Sequence, residues 1–122
     1  MALKNCPPLK NTNSPLDFFI ERGGHVIQNE HGWLNYYVYP NGTAYLENLY
    51  IYPESRNKQN CTSLLMNLDT ALSEIHGVKS YYTTISLGFN DHHRALQIAL
   101  KRGFKFNSSN ENAIYLSKEI SQ

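Results

Sequence analysis

Between Pro53 and Ser63 the chain reads Pro-Glu-Ser-Arg-Asn-Lys-Gln-Asn-Cys-Thr-Ser, and this run carries the residues best suited to chemistry. A segment rich in aromatic and β-branched residues feeds it, and an amphipathic helix leaves it. A helix N-terminus presents unpaired backbone N–H groups and the positive end of the helix dipole, so a strand turning sharply into a helix makes an anion site. Arg56 and Lys58 add positive charge, and Thr62 and Ser63 add hydroxyl donors. Such a turn suits a phosphate-bearing ligand; the same residues also suit an ordinary capped helix start with solvated charges. The turn contains no glycine.

The other reactive side chains are less concentrated. His92 and His93 are adjacent and are not expected to share a helix face, and no Cys or carboxylate stands beside them at ligand spacing, so no metal is expected. Cys61 is either a thiolate-rich group beside Arg56 and Lys58 or a small apolar group beneath the helix. Cys6 lies in a proline-flanked leader, and reduced thiols are expected. Nine tyrosines and Trp33 suit strand packing, while Tyr36, Tyr37, Tyr39, Tyr50 and Tyr52 form a candidate exposed patch for a protein partner.

The elements that position these residues follow from spacing. Residues 1–13 lack an apolar period and read as a flexible leader, and residues 14–122 read as one domain. Ser14, Pro15 and Asp17 predict a short helix from Pro15 to Arg22, stopped by Gly23-Gly24. His25–Gln28, Trp33–Tyr39 and Thr43–Tyr52 predict an antiparallel meander, with turns at Asn29–Gly32 and Pro40–Gly42. Leu64, Leu65, Leu68, Ala71, Leu72 and Ile75 predict a helix from Cys61 to near Gly77. Lys79–Leu87 reads as a strand, Ala95–Ala99 as part of a helix stopped by Gly103, and Phe104–Phe106 and Ala113–Leu116 as closing strands. The expected class is α/β (α+β), with one mixed, mostly antiparallel sheet and helices packed on it.

Composition bounds the function. With 122 residues, 41% of them hydrophobic, the chain suits a single core. A net charge of +1 supplies no field for DNA, RNA or an anionic membrane, so a nucleic-acid partner is not expected. No apolar run approaches the roughly 20 residues of a membrane span. The N-terminus lacks the apolar core of a signal peptide, which makes the cytoplasm the expected setting.

The order Tyr45-Leu46-Glu47-Asn48-Leu49-Tyr50-Ile51-Tyr52-Pro53-Glu54, then Arg56, then Leu64-Leu65, and later Arg94-Ala95-Leu96 running into Lys101-Arg102-Gly103-Phe104, resembles the GNAT superfamily of N-acetyltransferases. The resemblance spans Thr43 to Glu119. It implies an acyl-CoA N-acyltransferase fold and transfer of an acetyl group from acetyl-CoA to an amine on a small molecule or a protein. It also implies that the backbone of Leu49, Tyr50 and Ile51 pairs with the pantetheine arm. The stretch Arg56-Asn57-Lys58-Gln59-Asn60-Cys61, with Thr62, then corresponds to the pyrophosphate motif Q/R-x-x-G-x-G/A, with Gln59 and Cys61 at its small-residue positions. Glu47 matches the family's general base. Ala99 stands where many relatives carry a tyrosine acid, four residues before Gly103, and His92 stands where they often carry an asparagine beside the cofactor. Tyr82, His92 or water would then replace the acid. The reduced N-terminal region implies an acceptor cleft that is open or completed by a second subunit. The alternative is a GNAT-fold module without catalysis, binding within a larger assembly.

Overall fold

The alternation of large apolar and polar residues after Gly24 forms three antiparallel strands, β1 (His25–Asn29), β2 (Gly32–Val38) and β3 (Thr43–Ile51). Two turns set their register. Asn29 Oδ1 accepts the N–H groups of His31 and Gly32, and Gly42, at φ +87°, closes the second turn as only glycine does without strain. The computed structural model describes residues 15–88 and 90–121, so the expected leader and the Ser14 cap lie outside the described residues.

The remaining elements are α1 (Pro15–Glu21), α2 (Asn60–Ser73), β4 (Ser80–Ser86), α3 (His92–Lys101), β5 (Lys105–Ser109) and β6 (Ala113–Glu119). A short 3-10 turn, Pro53–Ser55, joins β3 to the loop before α2. The six strands form one sheet in the order β1-β2-β3-β4-β6-β5, in which β3 and β4 are parallel and every other ladder is antiparallel.

Leu64, Leu65, Leu68 and Leu72 line the buried stripe of α2 and pack on Leu34, Tyr36, Ala44 and Leu46. Each fully buried leucine contributes about 1.5–3 kcal/mol. Ala99 of α3 and Phe104 join the same core, with the Phe104 ring edge-on to Tyr81. The short α1 lies on the other face of the sheet, where Phe19 meets Trp33. Among the described residues, much of that face carries no helix.

Several boundaries and one burial assignment differ from the spacing-based reading. Helix α2 ends at Ser73, short of Gly77, because Ile75 and Val78 bond three residues back and unwind it. Phe104 precedes β5, its ring being buried in the core. Strand β6 runs on to Glu119, since β4 pairs with it along its whole length. Tyr36 belongs to the core and leaves the expected aromatic patch.

Candidate functional site

Strands β3 and β4 run side by side only from the Thr43–Ser80 pair to the Leu46–Thr83 pair. The Thr83 hydroxyl donates to the Leu46 carbonyl at 2.8 Å, and beyond this point the strands part. A cleft of about 980 Å³ opens between them and reaches α2 and α3. The Tyr52 N–H bonds to the His31 carbonyl on the β2 side. In an antiparallel ladder successive residues face opposite edges, so Tyr50 also turns its backbone groups to β2, while Leu49 and Ile51 turn theirs into the gap. Of these two, the Ile51 carbonyl already accepts Nε of Arg56 at 2.9 Å.

The far end of the cleft is the turn into α2. Arg56 curls back, its guanidinium 5.4 Å from the centre of the Tyr50 ring. Asn57 and Gln59 both adopt φ +64°, the left-handed region that glycine enters freely and glutamine at a cost of about 1–2 kcal/mol. Asn60 Nδ2 donates to the Ser55 carbonyl at 2.7 Å, and His31 Nδ1 lies 3.0 Å from the Ser55 hydroxyl, so side chains brace the turn that glycines would otherwise relax. Gln59 provides no side-chain cap to α2, whose first turn carries no acid. Asn60, Cys61 and Thr62 of that turn line the cleft. An uncapped, acid-free helix start is suited to a phosphate.

Glu47 sits at the other end, on a β-bulge. Asn35 pairs with Asn48 and Tyr36 with Leu46, which leaves Glu47 as the extra residue. Its Oε1 accepts Nδ2 of Asn35 at 3.0 Å, and the Tyr37 hydroxyl and Nδ2 of Asn48 each lie 3.5 Å from the same oxygen. The bulge also shifts the alternation, so that Ala44 and Leu46 before it and Leu49 and Ile51 after it all meet the core.

The structure thus gathers Glu47, Leu49, Tyr50, Ile51, Arg56, Asn57, Gln59, Asn60, Cys61 and Thr62 around one cleft. Lys58 and His92 do not line it. Lys58 Nζ turns to the Glu54 carbonyl, and the His92 ring packs 4.1 Å from that of His93, so the two adjacent histidines meet at the start of α3 after all. Burial pushes the Cys61 thiol up, which removes the thiolate-rich role. Ala99 is buried in α3, and Tyr82 is stacked on Tyr45. No group of three metal-ligating side chains occurs among the described residues.

Sequence reasoning passes over two contributors. Arg94, Lys101 and Arg102 join Arg56 on the cleft wall, against the carboxylates of Glu47 and Asp91, so cations that cancel in the whole-chain charge are concentrated here. Asn35 is the second; its signal is a lone polar residue inside the run Trp-Leu-Asn-Tyr-Tyr-Val.

No model of a known protein family matches the chain, and no curated protein matches it in sequence. Solved structures do. A GNAT family acetyltransferase from Elizabethkingia anophelis with acetyl-CoA bound superposes with a TM-score of 0.70 at 16% identity, over 86% of this chain and 81% of that one. The ribosomal-protein-S18-alanine N-acetyltransferase from Escherichia coli gives 0.68 at 18% identity, over 87% and 77%. The PaiA N-acetyltransferase from Thermoplasma acidophilum, in complex with coenzyme A, gives 0.63 at 19%, over 73% of this chain and 53% of that one. This chain therefore spans about half the length of the last. The likeness establishes the fold as that of the GNAT acyl-CoA N-acyltransferases.

Proposed function

We propose that this GNAT-fold chain is a member of the superfamily and an acetyl-CoA-dependent N-acetyltransferase acting on an amine. The observation that carries the reading is the parting of β3 and β4 beyond Thr83 and Leu46. It leaves a strand edge at Leu49 on one side and the uncapped start of α2 at the end of the same cleft. A ligand with an amide-bearing arm and a pyrophosphate fits both features at once.

In this reading the C=O of Leu49 pairs with the pantetheine arm, its N–H being kept for the thioester, and the amides of Asn60, Cys61 and Thr62 take the pyrophosphate. Arg56, held at Nε by the Ile51 carbonyl, keeps its terminal guanidinium donors, and with Arg94, Lys101 and Arg102 it supplies the surrounding positive potential. Lys58 and His92 have no part in it. Glu47 removes a proton from the ammonium of the acceptor. The amine nitrogen then bonds to the acetyl carbon, the C–S bond breaks, and the Leu49 N–H stabilises charge developing on the carbonyl oxygen. A thiol with a pKa near about 8.5 leaves without a dedicated acid, which accommodates Ala99.

A second reading has its own support. Gln59 and Cys61 bring side chains to positions where the fold family places small ones, and Ala99 offers no hydroxyl. These favour a non-catalytic binding module within a larger assembly. Calorimetric titration with coenzyme A and acetyl-CoA, followed by thiol release in the presence of an aralkylamine, a diamine, an amino acid and a peptide with a free N-terminus, separates the two. Saturable binding with turnover supports the enzyme. Binding without turnover selects the module, and no heat or thermal stabilisation at millimolar cofactor refutes both acyl-CoA roles.

A further inference from the structure

One buried polar side chain brings the fold little. Asn35 lies in the middle of β2 between the buried Leu34 and Tyr36 and is 0% exposed. Its Oδ1 has no hydrogen-bond partner among the described residues. An unmet buried acceptor is destabilising at a position where an apolar side chain of similar size would leave none unmet. What the amide does make is the 3.0 Å bond from Nδ2 to Oε1 of Glu47. Flipping the amide would set Oδ1 against the carboxylate, so charge fixes its orientation.

The bulge works on the same group from the other strand. It displaces Glu47 from the ladder opposite Asn35 and Tyr36. The Tyr37 hydroxyl and the Asn48 amide then fall on Oε1 together with Asn35. All three donors converge on one oxygen of the carboxylate. The other oxygen remains for chemistry.

We propose that Asn35 is a positioning residue for acetyl transfer: it anchors Oε1 of Glu47 so that Oε2 faces the acceptor and takes the ammonium proton. The inference rests on the acyltransferase reading above. Stability surrendered at Asn35 is exchanged for a carboxylate of fixed aim, as active sites commonly do.

The test compares Asn35→Leu in the parent and in Glu47→Gln protein. Turnover is read as thiol release from acetyl-CoA with the fastest of the four amines, or with water as acceptor if none reacts; acetyl-CoA affinity and melting temperature are measured alongside. Asn35→Leu is expected to lower turnover about tenfold, the worth of one hydrogen bond to a charged group, while acetyl-CoA affinity holds and the melting temperature stays level or rises. In the Glu47→Gln background it should lower turnover no further, because the two residues act as a unit. Parent-like turnover, or a loss that multiplies with that of Glu47→Gln, overturns the assignment. If Asn35→Leu does not fold, Asn35→Ala, which also removes the donor but adds no bulk, is read by the same turnover criteria. The two possible failures are distinct: a parent that binds no acetyl-CoA refutes the reading beneath, whereas full turnover in Asn35→Leu refutes only the role of Asn35.

Discussion

The Thr83 hydroxyl donates to the Leu46 carbonyl at 2.8 Å, and this bond marks the last point at which β3 and β4 lie together. A parallel pair continued to Ile51 would have used up the strand edge at Leu49 and closed the cleft. The side chain at 83 therefore takes over from the backbone ladder where the ladder must stop. Glu47, the next residue after Leu46, enters the gap on its bulge.

That placement gives the first prediction. Glu47→Gln keeps the size of the side chain and a hydrogen-bonding oxygen but loses the base. Turnover should fall by about 10²-fold or more, with acetyl-CoA affinity unchanged, because the phosphate turn and the Leu49 edge are untouched. Steady-state kinetics paired with calorimetry checks it; unchanged turnover removes Glu47 from the role.

The second concerns the turn. Gln59 holds φ +64° without the freedom of glycine. Gln59→Gly relieves that strain but loosens the unfolded chain by a comparable amount, so stability should change by less than about 1 kcal/mol. Acetyl-CoA should bind more tightly, on the order of tenfold, because the backbone at 59 becomes approachable. Gln59→Ala, which keeps a Cβ, should bring no such gain.

How much of this was open to sequence reasoning varies by residue. The strand, turn and helix around Arg56 are legible because alternation gives way to helical spacing at Cys61, a local signal. The separation of β3 from β4 is not, since it depends on residues 37 apart in sequence meeting through Thr83 and Leu46. The bulge at Glu47 is hidden for a related reason: alternation breaks by one residue, and only the register against β2 shows which residue is extra. The left-handed Gln59 sits where the motif of the resembled superfamily has glycine, and its bracing by Asn60, Ser55 and His31 joins the β1–β2 turn to this one across the fold. The chemistry of Cys61 depends on burial, which sequence reports poorly.

The third prediction concerns stability at high pH. Tyr81 is fully buried, and its hydroxyl donates to Asp69 Oδ1 at 2.6 Å while Lys118 Nζ meets Oδ2 at 2.7 Å. Burial first, and then the hydrogen bond and charge of Asp69, raise the Tyr81 phenol well above its ordinary value. Below about pH 10 the phenol is protonated in both folded and unfolded chains, and its contribution is complete. Above that the unfolded chain loses the proton first, so the folded state is progressively disfavoured. Tyr81→Phe should therefore lower the melting temperature at pH 7, through the lost bond to Asp69, and flatten the decline between pH 10 and 11. Melting curves across that range check it, and an equal decline in both proteins would contradict it.

The central claim, that the gap between β3 and β4 is an acyl-CoA site, is tested most directly by following backbone amide resonances of the labelled protein as acetyl-CoA is added. The largest shifts should fall at Leu49 and at Asn60, Cys61 and Thr62, with Lys58 and His92 moving little. Shifts confined to other surfaces, or none at millimolar acetyl-CoA, would contradict it.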